Sequence, residues 1–123
     1  MLRPERVGVL RVERDGVLRE EVLLRVLTVI RHCCVMHEHN RQSFVTKGII
    51  AVVVGVMTQH QRNLQLVKEA CAVLRTLTLD DDVRVPFGKA HEHAKMIVTE
   101  ADALRVILSI SKGNTVITVK IHE

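Results

Sequence analysis

Leu24-Arg25-Val26-Leu27-Thr28 recurs fifty positions later in the chain as Leu74-Arg75-Thr76-Leu77-Thr78. Two more stretches recur in the same order at a similar spacing: His37-Glu38-His39 as His91-Glu92-His93, and Phe44-Val45-Thr46-Lys47-Gly48 as Ile97-Val98-Thr99-Glu100-Ala101. One match of this kind arises easily by chance, whereas three in one order indicate an internal repeat. The repeat unit is predicted to contain a long helix, a loop, a short helix and another long helix. Units of this kind bury their apolar faces against neighbouring units, so we expect an all-α repeat array.

Apolar spacing and capping residues predict the helices of the first copy. From Glu20 to about Val35 the apolar residues recur every three or four positions, as in a largely buried helix. Asn40 as an N-cap and Gly48 after the last turn predict a short helix between them. Asn63 to about Leu79 has the clearest helical spacing in the chain, with Asn63 as its N-cap.

The second copy contains a longer predicted loop. Asp80-Asp-Asp82 and Val85-Pro86-Phe87-Gly88 interrupt the helix, because proline disfavours the α conformation of the residue before it and glycine opens the turn. We expect the loop to run through His91. Two helices are predicted to follow, from Ala94 to Glu100 and from Asp102 to Ser111, the second with Asp102 as N-cap and Gly113 as its stop.

Three segments leave alternatives open. The run from Ile49 to Met57 suits a strand, because it is rich in valine and isoleucine, but its continuous hydrophobicity also suits a buried helix. Asp15-Gly16 is a candidate hairpin turn near the N-terminus. Thr115 to Ile121 alternates like a strand, with no evident strand to pair with.

Composition narrows the classes of function. The chain has 123 residues, of which 47% are hydrophobic and 26% charged, as in a single soluble globular domain. Aromatic residues make up only 2%, which argues against modules that bind nucleic acid by stacking bases. The net charge of +4 comes from interleaved acids and bases, so no nucleic-acid partner is expected. The longest uncharged apolar run, Gly48 to Met57, is shorter than the roughly 20 residues that cross a bilayer, so no membrane partner is expected.

The number and spacing of the cysteines indicate in which cellular compartment the protein resides. The chain has three cysteines, an odd number with no disulfide framework, and two of them are adjacent at Cys33 and Cys34. The segment from Met1 to Glu21 is rich in charge and lacks the apolar core of a signal peptide. We therefore expect a reducing intracellular compartment, either the cytoplasm or the nucleus.

Part of the sequence resembles one armadillo repeat of three helices. This part consists of Asn40 to Ile50, the apolar run after it, and Leu66-Val-Lys-Glu-Ala-Cys-Ala-Val-Leu-Arg-Thr-Leu77. Two further stretches resemble one branch of that family: Asp80-Asp-Asp-Val-Arg-Val-Pro-Phe-Gly88 and His93-Ala-Lys-Met-Ile-Val98. The first is specific, since a generic armadillo repeat lacks the Val-Pro-Phe-Gly insertion. The resemblance implies that Gly48 to Met57 is helical.

The resemblance covers about residues 22 to 112 and sets the expected organisation. We expect armadillo-type repeats over 20–112, with 1–19 and 113–123 unassigned. Because only about two repeats match and the ends do not, we expect a fragment or an alternative transcript of a longer array.

A cluster of thiols and imidazoles is the first candidate for chemistry. His32, Cys33, Cys34, His37 and His39 are zinc-ligand types. Their spacing lacks a standard zinc pattern, and the two cysteines fall on the predicted apolar helix face, which favours packing over metal binding. No metal site, cofactor or catalytic residue is therefore expected.

Two further features have mainly structural interpretations. Cys71 lies among apolar residues, which favours packing over nucleophilic chemistry. Asp80, Asp81 and Asp82 are consecutive, so their carboxylates project in different directions and favour a solvated loop over a cation site.

His91-Glu92-His93 is the second candidate site. Its alternating histidines resemble the His-x-His pattern that protein histidine methyltransferases recognise, although Glu92 replaces the small residue preferred there. The resemblance implies modification of His91 or His93 by such an enzyme, which requires an exposed loop.

The expected function is a non-enzymatic scaffold that holds protein partners through its armadillo repeats. A groove of the nuclear-import kind is not favoured, because Thr76 and Val26 replace the expected Asn and Trp is absent. The alternative is a small metal- or redox-responsive α-helical protein that uses Cys33, Cys34, His37 and His39.

Overall fold

The described part of the chain is entirely helical outside its turns. A computed structural model describes residues 4–81, 88–99 and 103–113, and the side chains of 16–81, 88–99 and 103–110. Within these ranges the helices are α1 (Pro4–Cys34), α2 (Glu38–Thr46), α3 (Ile49–Gln59), α4 (Leu64–Leu77), α5 (Ala90–Thr99) and α6 (Ala103–Gly113). The all-α fold class is confirmed. The strand-like segment 115–121 and the Asp102 cap lie outside the described residues.

Helix α1 is about twice as long as the sequence pattern predicts. It begins at Pro4, so the hairpin turn at Asp15-Gly16 is wrong and the boundary between 1–19 and 20–112 falls inside a helix. The segment is rich in leucine, arginine and glutamate, which favour helix, and its two glycines, Gly8 and Gly16, each cost only about 1 kcal/mol. A Cβ atom added at Gly16 would have no neighbouring atom within 4 Å, so no close contact explains the glycine.

The junctions around α2 differ from the prediction at one end and confirm it at the other. Helix α2 begins at Glu38, and the Nδ1 atom of its N-cap, His37, accepts a hydrogen bond from the Asn40 backbone N–H at 3.1 Å. The Asn40 cap is therefore wrong, because the imidazole of His37 supplies the acceptor instead. Gly48 ends the helix with φ of +90°, a conformation that favours glycine, and the chain bends by 72° into α3.

The valine-rich run forms α3, as the armadillo resemblance implies. Burial overrides the local strand propensity of its β-branched residues, because one face of the helix lies in the core. The buried residues of α3 are Ile49, Ile50, Val53, Val54 and Met57. No single described helix is both long and apolar enough to cross a membrane, and α2 with α3 meets that length only across the bend.

Helix α4 is the centre of the fold. Asn63 caps it, since the Asn63 side chain accepts a hydrogen bond from the Leu66 N–H at 3.1 Å. Helices α1, α3 and α5 all pack against α4, and α6 packs against α3 and α5. Val67, Ala70 and Leu77 are almost completely buried there, as their spacing predicts.

Helix α5 begins earlier in the sequence than predicted. Helix α5 begins at Ala90 rather than Ala94, so His91, Glu92 and His93 belong to its first turn and not to a loop. Ala90 and His93 are buried, and this packing of the first turn extends the helix ahead of the point where the sequence pattern becomes apolar.

Candidate interaction surface

Helices α1 and α4 lie side by side and run in the same direction. Near the start of α4, the Asn63 side-chain amide donates a hydrogen bond to the Glu20 carboxylate of α1. Further along both helices, Arg31 Nε donates to Glu69 Oε1 at 2.6 Å. These polar contacts border the apolar seam between the two helices and fix their register.

The outer side of this pair exposes basic residues. Arg25 on α1 and Lys68 and Arg75 on α4 are all exposed, and we call these three residues the basic strip. Ala72, half-buried, lies one helical turn from both Lys68 and Arg75, so a small side chain separates the two cations. The strip is a surface that the packing of the described helices does not use.

A second exposed patch on α1 is apolar. Val22, Val26 and Val29 are 59%, 48% and 61% exposed, and we call them the valine flank. The internal repeat pairs Val26 with Thr76 of α4, which is only 6% exposed. The position is therefore covered in one copy of the repeat and open in the other.

A buried arginine joins several parts of the fold. Arg41 of α2 is 1% exposed, and its Nη1 atom donates to the Cys34 carbonyl oxygen at 2.8 Å. Nη1 also lies 2.9 Å from Asp81 Oδ1, and Nη2 lies 2.5 Å from Glu38 Oε2. The guanidinium thus ties the end of α1, the start of α2 and the segment after α4 together.

Glu38 extends this cluster to α5. Its Oε1 atom accepts hydrogen bonds from the Gln42 side chain and from the Lys89 backbone N–H, both at 2.9 Å. Partial burial acts to raise the pKa of the Glu38 carboxyl, but the hydrogen bonds from Gln42, Arg41 and Lys89 outweigh it, so the pKa lies below the ordinary value of 4.5. We call Arg41, Glu38 and Asp81 the arginine latch.

The latch corrects the interpretation of the aspartate run. Asp81 is an ion-pair partner of Arg41 rather than part of a merely solvated loop. Asp80, at the same place, lies against Gly88, where a Cβ atom would come within 2.5 Å of Asp80 Oδ1. The two ends of the connection between α4 and α5 therefore meet, and Asp82 lies outside the described residues.

Comparison with known proteins shows which proteins this chain is similar to. The chain is 48% identical over 84 residues to Armadillo repeat-containing protein 6 of Homo sapiens and to that of Pongo abelii, and these residues are 68% of this chain. It is 42% identical over 81 residues, 66% of the chain, to the Drosophila melanogaster homolog. The matched part of the chain is similar to armadillo-repeat proteins and has the all-α repeat fold of that type. It spans about 17% of the length of these relatives. No protein-family model and no solved structure matches it.

In armadillo terms, α2, α3 and α4 form one three-helix repeat. The internal sequence repeat pairs α1 with α4, so α1 corresponds to a third helix, and it pairs α5 and α6 with the first and second helices. The basic strip therefore lies on two successive third helices, and the arginine latch lies where successive armadillo repeats meet.

The structure does not bring the predicted thiol and imidazole cluster together. Cys34 is buried and Cys33 is exposed, while His37 caps α2 and His39 is exposed. Within the described residues, no group of three histidine, cysteine or acidic side chains could hold a metal ion. Burial raises the pKa of the Cys34 thiol, and Cys33 raises it further, while Arg41 acts to lower it. Because the pKa is raised overall, this thiol stays protonated.

Cys71 lies half-buried on α4, and burial raises the pKa of its thiol as well. A protonated thiol is a poor nucleophile and a poor metal ligand. The sequence favours a packing role for Cys71, and its half-buried position on α4 agrees with that role.

The two predicted modification residues lie in different surroundings. His91 is exposed, but His93 is 4% exposed, and its Nδ1 atom lies 2.8 Å from the Leu77 carbonyl oxygen at the end of α4. The expectation that both imidazoles face solvent is wrong for His93. Alternate residues of a helix point in different directions, so His93 faces α4 while His91 does not.

The sequence pattern did not identify Arg41 or Glu38 as structural residues. The sequence did contain a signal, because Arg41 lies four residues before Val45 and therefore on the same helix face as an apolar residue. A charged residue on an otherwise buried face indicates a paired charge. Its partner could not be named from the sequence, since Asp81 is distant along the chain.

Proposed function

We propose that the chain is a non-enzymatic protein-interaction module that holds its partner on the outer face of α1 and α4. One observation carries this proposal: two successive third helices align side by side and expose the basic strip, which internal packing does not require. The polar residues that could suggest chemistry, Arg41, Glu38 and His93, instead hold helices together. Armadillo relatives support a scaffold built from repeats.

The surface differs from the groove of the nuclear-import kind. Thr76, at the expected Asn position, is buried, and its hydroxyl donates to the Ala72 carbonyl oxygen at 2.8 Å. It offers no side-chain amide to the backbone of a bound peptide. We therefore expect recognition through charged and apolar side chains on the outer face rather than through an asparagine ladder.

Photocrosslinking tests the position of the surface. A benzophenone amino acid replaces Lys68 on the outer face in one variant and Gln59, exposed at the end of α3, in a matched control. In cells, we expect discrete adducts of higher mass from position 68 that the unlabelled chain competes away. Equal adducts from both positions, or none from position 68, would contradict the proposal.

We also propose His91 as a site of histidine methylation. Its exposure at the first turn of α5 supports access by a modifying enzyme, whereas the ring of His93 is enclosed. Peptide mass spectrometry of residues 88–95 from native cells tests this. A methyl group on His93, or unmodified His91 throughout, would contradict it.

We further propose a reducing location, the cytoplasm or the nucleus, for the chain. Cys33, Cys34 and Cys71 are all free thiols in the described residues. Fractionation of cells with an antibody to the chain tests the location, and recovery in a secreted or luminal fraction would contradict it.

A further inference from the structure

A line of exposed side chains follows α1 on the side turned away from α4. Its members recur at intervals of four, four, three and four residues, which keeps them on one face of the helix, and we call them the α1 stripe: Leu18, Val22, Val26, Val29 and Cys33. The two residues of α1 that bind α4, Glu20 and Arg31, point to the opposite side, because each is two positions, or about 200°, from a member of the stripe. The stripe extends the valine flank at both ends and finishes in a free thiol.

The internal repeat shows what this side of a third helix accepts. Val26 of the stripe pairs with Thr76 of α4, which is buried. Glu69 lies about two helical turns before Thr76 and binds Arg31, so α1 covers the Thr76 side of α4. The side that is open on α1 is therefore occupied, on α4, by a parallel third helix of this same chain. A parallel third helix is the kind of neighbour that fits the open side of α1.

Charges beside the stripe favour a second copy of α1 in that position. Arg19 and Glu21 lie on opposite edges of the stripe, both are exposed, and among the described residues neither takes part in an ion pair. In a parallel two-fold pair, each edge of one helix meets the opposite edge of the other helix at nearly the same level. Arg19 of one copy would then face Glu21 of the other, and symmetry would repeat this contact.

Charge also distinguishes the two possible directions of pairing. In an antiparallel two-fold pair, equivalent edges of the two helices meet. Arg25 is exposed near the middle of the stripe, on the same edge as Glu21, so the two copies of Arg25 would face each other unfavourably. The parallel pair avoids this contact, combines apolar packing with opposite charges, and places the two Cys33 side chains at the same level.

We infer that two copies of the chain associate through their α1 stripes, side by side and parallel, as a two-fold symmetric dimer. The inference goes beyond the proposed function, because it assigns a second surface, whose occupant is another copy of the chain. The aliphatic side chains of the two stripes cover each other, and the pairs between Arg19 and Glu21 fix the register. A two-fold contact uses the same surface on both copies, so association ends at the dimer.

Sedimentation equilibrium and thiol trapping of the full chain test the pairing. We expect the mass to rise with concentration from that of a monomer to that of a dimer and no further. Diamide, which takes up two electrons and two protons as two thiols become one disulfide, should then trap a covalent dimer. The covalent dimer should form in Cys71→Ser and be absent in Cys33→Ser, because Cys33 lies in the contact and Cys71 does not.

Exchange of the two edge charges provides a matched control. Arg19→Glu or Glu21→Arg alone makes both symmetric pairs repulsive and should raise the dissociation constant of the dimer about tenfold, since two exposed pairs change from attraction to repulsion. The double variant Arg19→Glu, Glu21→Arg restores opposite charges, so it should dimerise and be trapped by diamide as the parent is. Circular dichroism melts verify that each variant is folded.

The other results would overturn the inference. A chain that is monomeric at every concentration would show that the α1 stripes do not pair. A mass that rises beyond the dimer would indicate an open, head-to-tail assembly instead. Trapping through Cys33 that is unchanged in the single charge variants, or a double variant that dimerises as weakly as the single ones, would show that the parallel register is wrong.

Discussion

Arg41 is the polar residue whose removal should destabilise the fold most. Arg41→Met keeps the aliphatic stem but leaves the carboxylates of Glu38 and Asp81 without their common cation. Arg41 is 1% exposed, and its loss removes the hydrogen bonds that it donates to two partly exposed carboxylates and to the Cys34 carbonyl oxygen, so we expect the free energy of unfolding to fall by about 2–3 kcal/mol. Urea unfolding followed by circular dichroism measures this change.

Two comparison variants make the Arg41 result specific. Arg62→Met removes an exposed cation and should change stability by no more than about 0.5 kcal/mol. Arg41→Lys keeps the charge but loses the forked donors, so it should fall between the two. A stable Arg41→Met variant would mean that the latch contributes nothing to folding.

Glu38 gives the latch a pH dependence with a defined sign. Its pKa in the folded chain lies below the ordinary value of 4.5, so its contribution is present above that pH and is lost as the pH falls through the folded pKa. Glu38→Gln should therefore be less stable than the parent at pH 7, and the gap should close in acid. Melting temperatures of both proteins from pH 7 to pH 3 measure the gap, and a constant gap would contradict the assignment.

His91 and His93 form a natural matched pair. His93→Ala removes a buried ring and its hydrogen bond to the Leu77 carbonyl, which should cost about 1–3 kcal/mol. His91→Ala removes an exposed ring and should cost no more than about 0.5 kcal/mol. Thermal melts of the two single variants decide it, and equal melting temperatures would show that the contact to α4 carries no stability.

At the scale of elements, α4 is the helix on which the others depend. Leu74 is 6% exposed and belongs to the core shared with α1 and α3, so Leu74→Ala should cost about 2–5 kcal/mol. Lys68→Ala, on the outer face of the same helix, should change stability little. Helical circular dichroism and melting of the two variants test this, and a parent-like Leu74→Ala variant would mean that the core assignment is wrong.

The helices that could be predicted are those whose signals are local. Asn63 as a cap, Gly48 as a stop and the spacing of α4 all depend on residues within one or two turns, and the structure confirms them. The run from Ile49 to Met57 could not be assigned from its own residues, because valine favours strands and the helix is stabilised by packing against neighbouring helices, mainly α4. The family resemblance supplied that missing information.

The arginine latch shows which contacts cannot be predicted from residues that are close together in the sequence. The partners of Arg41 and Glu38 include Asp81 and Lys89, which are far away in the sequence. No pattern within a few turns can specify such a pairing, whereas the repeat register that aligns Arg25 with Arg75 is visible in the sequence itself. The basic strip was therefore within reach of sequence analysis, and the arginine latch was not.

At the scale of the whole molecule, the valine flank should govern association. Val22, Val26 and Val29 are exposed together on one side of α1, and such a patch favours contact with another apolar surface. We expect the isolated 123-residue chain to be marginally stable or to self-associate, with a sedimentation mass that rises with concentration. Val26→Glu should reduce this rise, since it places a charge within the patch.

The same experiment can contradict that expectation. A chain that stays monomeric at all concentrations and melts sharply at a temperature well above about 60 °C, beyond the usual range of mesophilic domains, would show that the valine flank does not need to be covered by another apolar surface. Gln59→Glu, which adds one negative charge at an exposed position away from the patch, serves as the control for net charge.

The connection between α4 and α5 is held in place at both ends, and this determines where residues can be inserted into the chain. Asp81 is fixed by Arg41 before residues 82–87, and the Lys89 N–H is fixed by Glu38 after them. Closing a flexible loop costs only about 0.6 kcal/mol more for each doubling of its length. Residues inserted between the two fixed points would therefore leave the stacked helices in place. This connection is a site where new sequence can be acquired, by evolution or by grafting, at little cost to the fold.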